Sequence, residues 1–188
     1  MSKVSEVVIC AAKYLGLTEL VAAINADGTL SGECLTERND LLRCVNIAAA
    51  DIALSATAPV NSKICRAVSG SIFYSAIDDK LLEIETVKTT AGKTAEYTVY
   101  SDRILTEDGT YYVYYTYVPA KMQPDDDLPF SAAINERALV YGACAEYCVA
   151  TGVNGEAVKW QSLFEREIAK IKNKKTRLPG IMPARKWF

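Results

Sequence analysis

The 188-residue sequence contains no histidine. Proton transfer and nucleophilic attack near neutral pH recruit that side chain more than any other, so Ser-His-Asp chemistry is excluded, and a cysteine nucleophile has no imidazole base. The phosphate-cradling patterns GxGxxG and GxxxxGK[ST] are missing, and so is the nucleophile-elbow pattern GxSxG. Zinc sites usually announce themselves by CxxC pairs or paired histidines, and neither occurs. No apolar run reaches the roughly 18 residues needed to cross a bilayer. The start, Met1 to Glu6, lacks a basic stretch followed by a long apolar one, so a non-secreted protein with no membrane partner is expected. Carboxylate or lysine catalysis is left, and no pattern points to it. The expectation is a protein that is not an enzyme, with no catalytic residues, metal or cofactor.

What is present is half hydrophobic and 23% charged, with a net charge of −2. That balance is neither disordered nor globally drawn to nucleic acid, and the length fits one domain or one domain with an insertion. Six cysteines occur, of which Cys10, Cys44, Cys144 and Cys148 fall in helical patterns beside Ala and Val. There a free cysteine acts as a small buried hydrophobe. The competing reading is a metal site from Cys144 and Cys148, one helical turn apart.

The organising stretch runs from Leu128 to Lys172. Ile134, Ala138, Tyr141, Ala145 and Cys148 recur at helical spacing, and Ala157, Trp160, Phe164, Ile168 and Ile171 do so again. Between them Thr151 to Gly155 supplies residues that tolerate positive φ, which predicts an antiparallel helical hairpin. Its first helix presents Ala138, Gly142, Ala143 and Ala145, a small surface that accepts the bulky Trp160, Leu163 and Phe164. Earlier in the chain, Val4, Val7, Val8, Ala11 and Leu15 predict a first helix stopped by Gly16, with a short extra turn over Thr18 to Ile24. The next helix is expected to open at a Thr36 cap, to carry Leu41, Val45, Ala49, Ile52 and Ala56 on one stripe, and to close at Pro59.

From Val60 to Pro119 the period changes to alternation and the composition to Thr, Tyr, Val and Ile. Strands are predicted at 71–74, 82–87, 96–100 and 111–118, with hairpin turns at Asp78-Asp79, Ala91-Gly92 and Asp108-Gly109. The fold class is therefore α+β. A small bundle of two N-terminal helices (1–59) and a C-terminal hairpin with its linker (120–175) carries an inserted antiparallel β module (60–119) and an extended arm (176–188).

Asp125, Asp126 and Asp127 suggest a cation site or an acid/base pair. Adjacent residues in an extended linker diverge, so acidic residues favouring the positive start of the following helix, capped by Ser131, is the better-supported reading. Tyr111 to Tyr117 holds five tyrosines in seven residues. Three readings stand: a subunit or tail interface through Tyr112, Tyr114 and Tyr117, an ordinary core, or a platform for stacked sugars or bases.

The charge is strongly segregated. From Glu165 onward there are eight basic residues against two acidic ones, a net of +6, so the rest of the chain carries −8. Past Lys175 the sequence has two prolines and a glycine and follows no period. Its Leu178, Ile181, Met182, Trp187 and Phe188 are costly to leave in water. With Arg177, Arg185 and Lys186, they read as an arm that orders on an acidic partner, the aromatics serving as anchors; a segment packed across its own domain and a charged, frayed terminus are the alternatives.

Two helices, a β block, a hairpin and a docking tail resemble the head-to-tail adaptor (connector) proteins of tailed bacteriophages. The motif-level likeness lies in about residues 128–171: a Leu128-Pro129 start, an Ala-rich helix with Glu146-Tyr147, and a second helix with Trp160, Phe164, Glu165 and Glu167. The resemblance implies a virion neck component made in the host cytoplasm, a homo-oligomeric ring of about twelve identical subunits. Such a ring sits beneath the portal protein, extends the exit channel for double-stranded DNA without sequence-specific binding, and carries the next tail component, nozzle or tail tube. It also implies that residues 177–188 insert into the portal. An acidic body suits a channel that must not grip its cargo. The β block departs from shorter adaptors, which lack one. From another class, the alternative is a nucleic-acid-binding module using the basic tail and the tyrosine-rich strand. Under the assembly reading the isolated chain is largely monomeric, because ordering the arm requires its partner.

Overall fold

The computed structural model describes residues 2–26, 30–130 and 136–177, with side chains through 173. The fold is mixed α+β and divides into two compact units. A helical unit draws on residues up to Thr57 and from Lys121 onward, and a β unit spans Ala58–Ala120.

In the helical unit, α1 spans Val4–Leu15 and buries Val4, Val7, Val8 and Ala11. Gly16 stops it in the left-handed conformation at φ +74°, where its N–H and that of Leu17 take up the last carbonyls of the helix. Past that break, Thr18–Asn25 forms a separate eight-residue helix, α2, held by the fully buried Leu20. The N-terminal part thus holds three helices among the described residues, where two were expected. The third, α3, spans Gly32–Ser55, opening after Ser31 rather than at Thr36. The Thr36 hydroxyl donates back to the Gly32 carbonyl at 3.3 Å, the habit of a threonine inside a helix. Leu41, Val45, Ala49 and Ile52 are fully buried, and the helix ends four residues before Pro59.

The C-terminal hairpin consists of α4, Glu136–Ala150, and α5, Asn154–Arg177, reversed at Gly152, φ +79°. Small residues of α4 let its neighbours approach closely. A Cβ built on Gly142 would lie 2.8 Å from Ala48 Cβ of α3 and 3.1 Å from Phe164 Cε2 of α5. The expected cap Ser131 and core residue Ile134 lie outside the described residues.

The returning linker is tied to the bundle by polar contacts. Asn46 of α3 accepts from the Met122 N–H at 2.6 Å and donates to the Met122 carbonyl at 3.2 Å. The carbonyls of Pro124 and Asp126 receive the Ser5 and Val4 N–H groups, orphan donors of the first turn of α1. Lys3 bridges to the Asp127 carboxylate at 3.0 Å and to the Asp125 carbonyl, while the Asp126 carboxylate accepts the Gln123 N–H. The acidic linker thus serves the start of α1, and its three side chains do not converge.

The β unit holds two three-stranded antiparallel sheets. Strands β1 (Val60–Ala67), β6 (Gly109–Tyr117) and β3 (Leu81–Thr89) form one in that order, and β2 (Ser71–Phe73), β5 (Arg103–Leu105) and β4 (Thr98–Val99) the other. Both contribute to one core, with Cys65, Val87, Tyr111, Val113 and Tyr115 from the first and Ile72 and Ile104 from the second. Of the three hairpin turns expected, only Ala91-Gly92 folds the chain directly back, bridging Lys88 to Thr94. Asp108-Gly109 instead carries the chain from one sheet to the other, and the Asp108 carboxylate accepts the Gly70 N–H at 2.6 Å. Asp78 stands between a short 3-10 turn at Tyr74–Ala76 and β3, where its carboxylate accepts the Lys80 N–H.

Candidate functional site

Alternation along β6 decides where each tyrosine goes. Tyr111 and Tyr115 point into the core, their hydroxyls donating to the Glu107 carbonyl and the Asp78 carboxylate. Tyr117 packs against that same core and lies 6.2 Å from Tyr115, ring centre to ring centre. Tyr112 and Tyr114 point the other way. Tyr112 is exposed, and Lys88 Nζ sits 5.2 Å from the Tyr114 ring centre, within cation–π range. Tyr112 and Tyr114 therefore share a surface, while Tyr117 stands on the opposite face of the strand.

That outer surface has members the sequence reading missed. Ile64 pairs with Tyr112 and Val60 with Thr116, so both share its face, and each is 60% exposed. They lie on β1, one edge of the sheet. The signal was present in their spacing of four around Ser62, but Asn61, Ser62 and Lys63 read as loop.

Of the cysteines of the helical unit, Cys44, Cys144 and Cys148 are buried, while Cys10 and Cys34 are partly exposed. Cys144 is fully buried, its thiol 3.8 Å from the Ala11 carbonyl. Burial, reinforced by the neighbouring thiols of Cys148, Cys10 and Cys44, pushes its pKa up to about 12. Burial also pushes Cys44 up to about 11. Both stay protonated at neutral pH, unfit as nucleophile or ligand. Among the described residues no group of three His, Cys, Asp or Glu side chains is placed to hold a metal ion.

The thiols carry a pH signature. Because their folded pKa values exceed the ordinary 9.0, the unfolded chain loses protons first as pH rises. Their contribution to stability is full below about pH 9 and is lost progressively toward pH 11 to 12. A melting temperature that falls across this window, with a shallower fall in Cys144→Ala, is the expected result of a calorimetric pH series.

Residues 178–188, with the proposed anchors Leu178, Ile181, Met182, Arg185, Lys186, Trp187 and Phe188, lie outside the described residues. Arg177 is the last residue of α5, its side chain also outside them. No family model and no curated protein sequence matches this chain. Its function has to be read from its own residues. Among those described, no helix is long and apolar enough to cross a membrane.

Proposed function

We propose that this chain is a structural assembly protein, a ring-forming adaptor of the phage-neck kind that joins the portal of a DNA-filled head to the tail. The observation that carries the reading is the segregation of charge and apolar residues toward the C-terminal end. The final 24 residues carry +6 on a chain of −2 overall, and the last thirteen add Leu178, Ile181, Met182, Trp187 and Phe188. Such a segment gains most on a partner that offers carboxylates around apolar pockets. The helical unit supplies a mount, since its core is assembled from residues of α1, α3, α4 and α5 and its last helix leads into the segment. In this role the chain needs no catalytic group, and its acidic body lets DNA pass without capture.

The exposed Tyr112 and the Lys88–Tyr114 contact favour a second reading, a nucleic-acid-binding module using the tyrosine-rich strand and the basic tail. Deleting residues 176–188 separates the two. Under the assembly reading, cosedimentation with portal rings of the same virion disappears while the melting temperature of the chain holds. Under the other, a salt-sensitive affinity for DNA disappears instead.

A further inference from the structure

Strand β1 lies at the edge of its sheet, and among the described residues no strand pairs with its other side. Which backbone groups face that side follows from one hydrogen bond. The Tyr117 N–H donates to the Pro59 carbonyl at 3.2 Å, and from there the register runs without a bulge to Ala67 opposite Gly109. Alternation along an antiparallel pair then turns the odd residues of β1 toward β6, and the N–H and C=O of Val60, Ser62, Ile64 and Arg66 toward the open edge. The Ser62 N–H accordingly finds the Asn61 side chain, at 2.8 Å, instead of β6.

Proteins usually guard such an edge with bulges, prolines, lysines or a covering segment. The other edge of this sheet is guarded. Strand β3 shifts register at Leu81/Glu83 and at Ile84/Thr86, and residues 93–95 cover its end through bonds to Val87 and Thr89. Strand β1 has no bulge and no proline, and its one lysine is turned away, Lys63 Nζ donating to the Ile77 carbonyl at 3.0 Å. Beside this bare edge lies an open hollow of about 580 Å³, where Ile64, Val68, Ile72 and Phe73 are apolar lining and Arg66 is the one charged member. At its end the exposed Phe73 ring carries Arg103 at 5.8 Å, which lies 3.9 Å from Asp102.

We propose that β1 is a docking edge, which an extended segment of a different protein joins as an antiparallel strand. The edge specifies the chemistry of that segment. Side chains opposite Val60 and Ile64 fall on the outer face with Tyr112 and Tyr114 and are expected to be β-branched or aromatic, and the one opposite Arg66 to be a carboxylate. Charge and regularity select against a second copy. Its β1 brings Lys63 and Arg66 and no acid, and its acidic strand β3, with Glu83 and Glu85, is bulged. The proposal goes beyond the adaptor reading and does not depend on residues 176–188.

The probe is the blocked peptide Glu-Thr-Val-Thr-Thr-Thr-Val, whose glutamate falls opposite Arg66 and whose valines fall opposite Ile64 and Val60. It is titrated to millimolar concentration into the full isotope-labelled chain. The amide resonances of Ser62, Ile64 and Arg66 are expected to move saturably, and to stay still with a peptide N-methylated at its third and fifth residues, which cannot form the ladder. Arg66→Glu, at an exposed position, is expected to weaken binding about five-fold, and lysine in place of the peptide's glutamate to restore it. Resonances of β1 that never move, that move equally with the N-methylated peptide, or that bind it with an affinity indifferent to Arg66→Glu would overturn the proposal. Movement with protein concentration in the absence of peptide would overturn it too, since a second copy would then hold the edge.

Discussion

Replacing Gly142 by leucine is expected to be the most damaging single change in the helical unit. The first atom of any side chain there already meets Ala48 Cβ at 2.8 Å and Phe164 Cε2 at 3.1 Å, and both neighbours are buried. Neither is the free end of a flexible chain, so the helices must move apart. Gly142→Ala gains about 1 kcal/mol of helix propensity and loses about 1 to 3 kcal/mol to overpacking, a net cost of about 0 to 2 kcal/mol. Leucine adds three more carbons in the same place and should cost more than about 3 kcal/mol, lowering the melting temperature by roughly 10 °C for a chain of this size. Thermal melts of the two variants check the order. A leucine variant as stable as the parent would mean that α4 does not pack on α3 and α5 through Gly142.

The second large effect concerns recognition rather than folding. Trp187→Ala and Phe188→Ala each remove an aromatic anchor from the segment proposed to dock on the portal. Buried aromatic hot spots cost about 2 kcal/mol or more on truncation, so each variant should weaken portal binding by about 30-fold or more. Arg185→Ala, at the rim of the same contact, should act mainly through the association rate and its salt dependence. Surface-immobilised portal rings and the purified variants give both numbers. Equal binding by the parent and the aromatic variants would remove the arm from the interface.

Parts of this architecture were legible because one local rule sufficed. Gly16 stops α1 and Gly152 turns the hairpin, since both take left-handed backbone that other residues resist. Alternation exposed β3 and β6, and the α+β class followed from the change of period at Val60. The failures have physical causes as well. Strand β1 begins Val60, Asn61, Ser62, Lys63, a polar edge that needs little burial on one face, so its pattern imitates a loop. Strand β5 has three residues, too few to show a period. Asp108-Gly109 carries hairpin chemistry but joins two sheets, because strand partners are chosen by long-range burial of Ile72, Ile104 and Val113. The same limit hid how the tyrosines divide between the two faces. Tyr112 and Tyr114 share an outer face with Val60 and Ile64, while Tyr117 serves the core, a division that parity along β6 permits but only the register with β1 reveals.

In the proposed adaptor the helical unit is a self-supporting mount and the cationic, apolar end of the chain builds the neck. Native mass spectrometry of the purified chain mixed with portal rings from the same virion tests this most directly. The expected result is monomers alone, a portal complex carrying a ring of about twelve copies, and no complex when residues 176–188 are removed. A stable ring without the portal, or a portal complex that forms equally well without those residues, would contradict it.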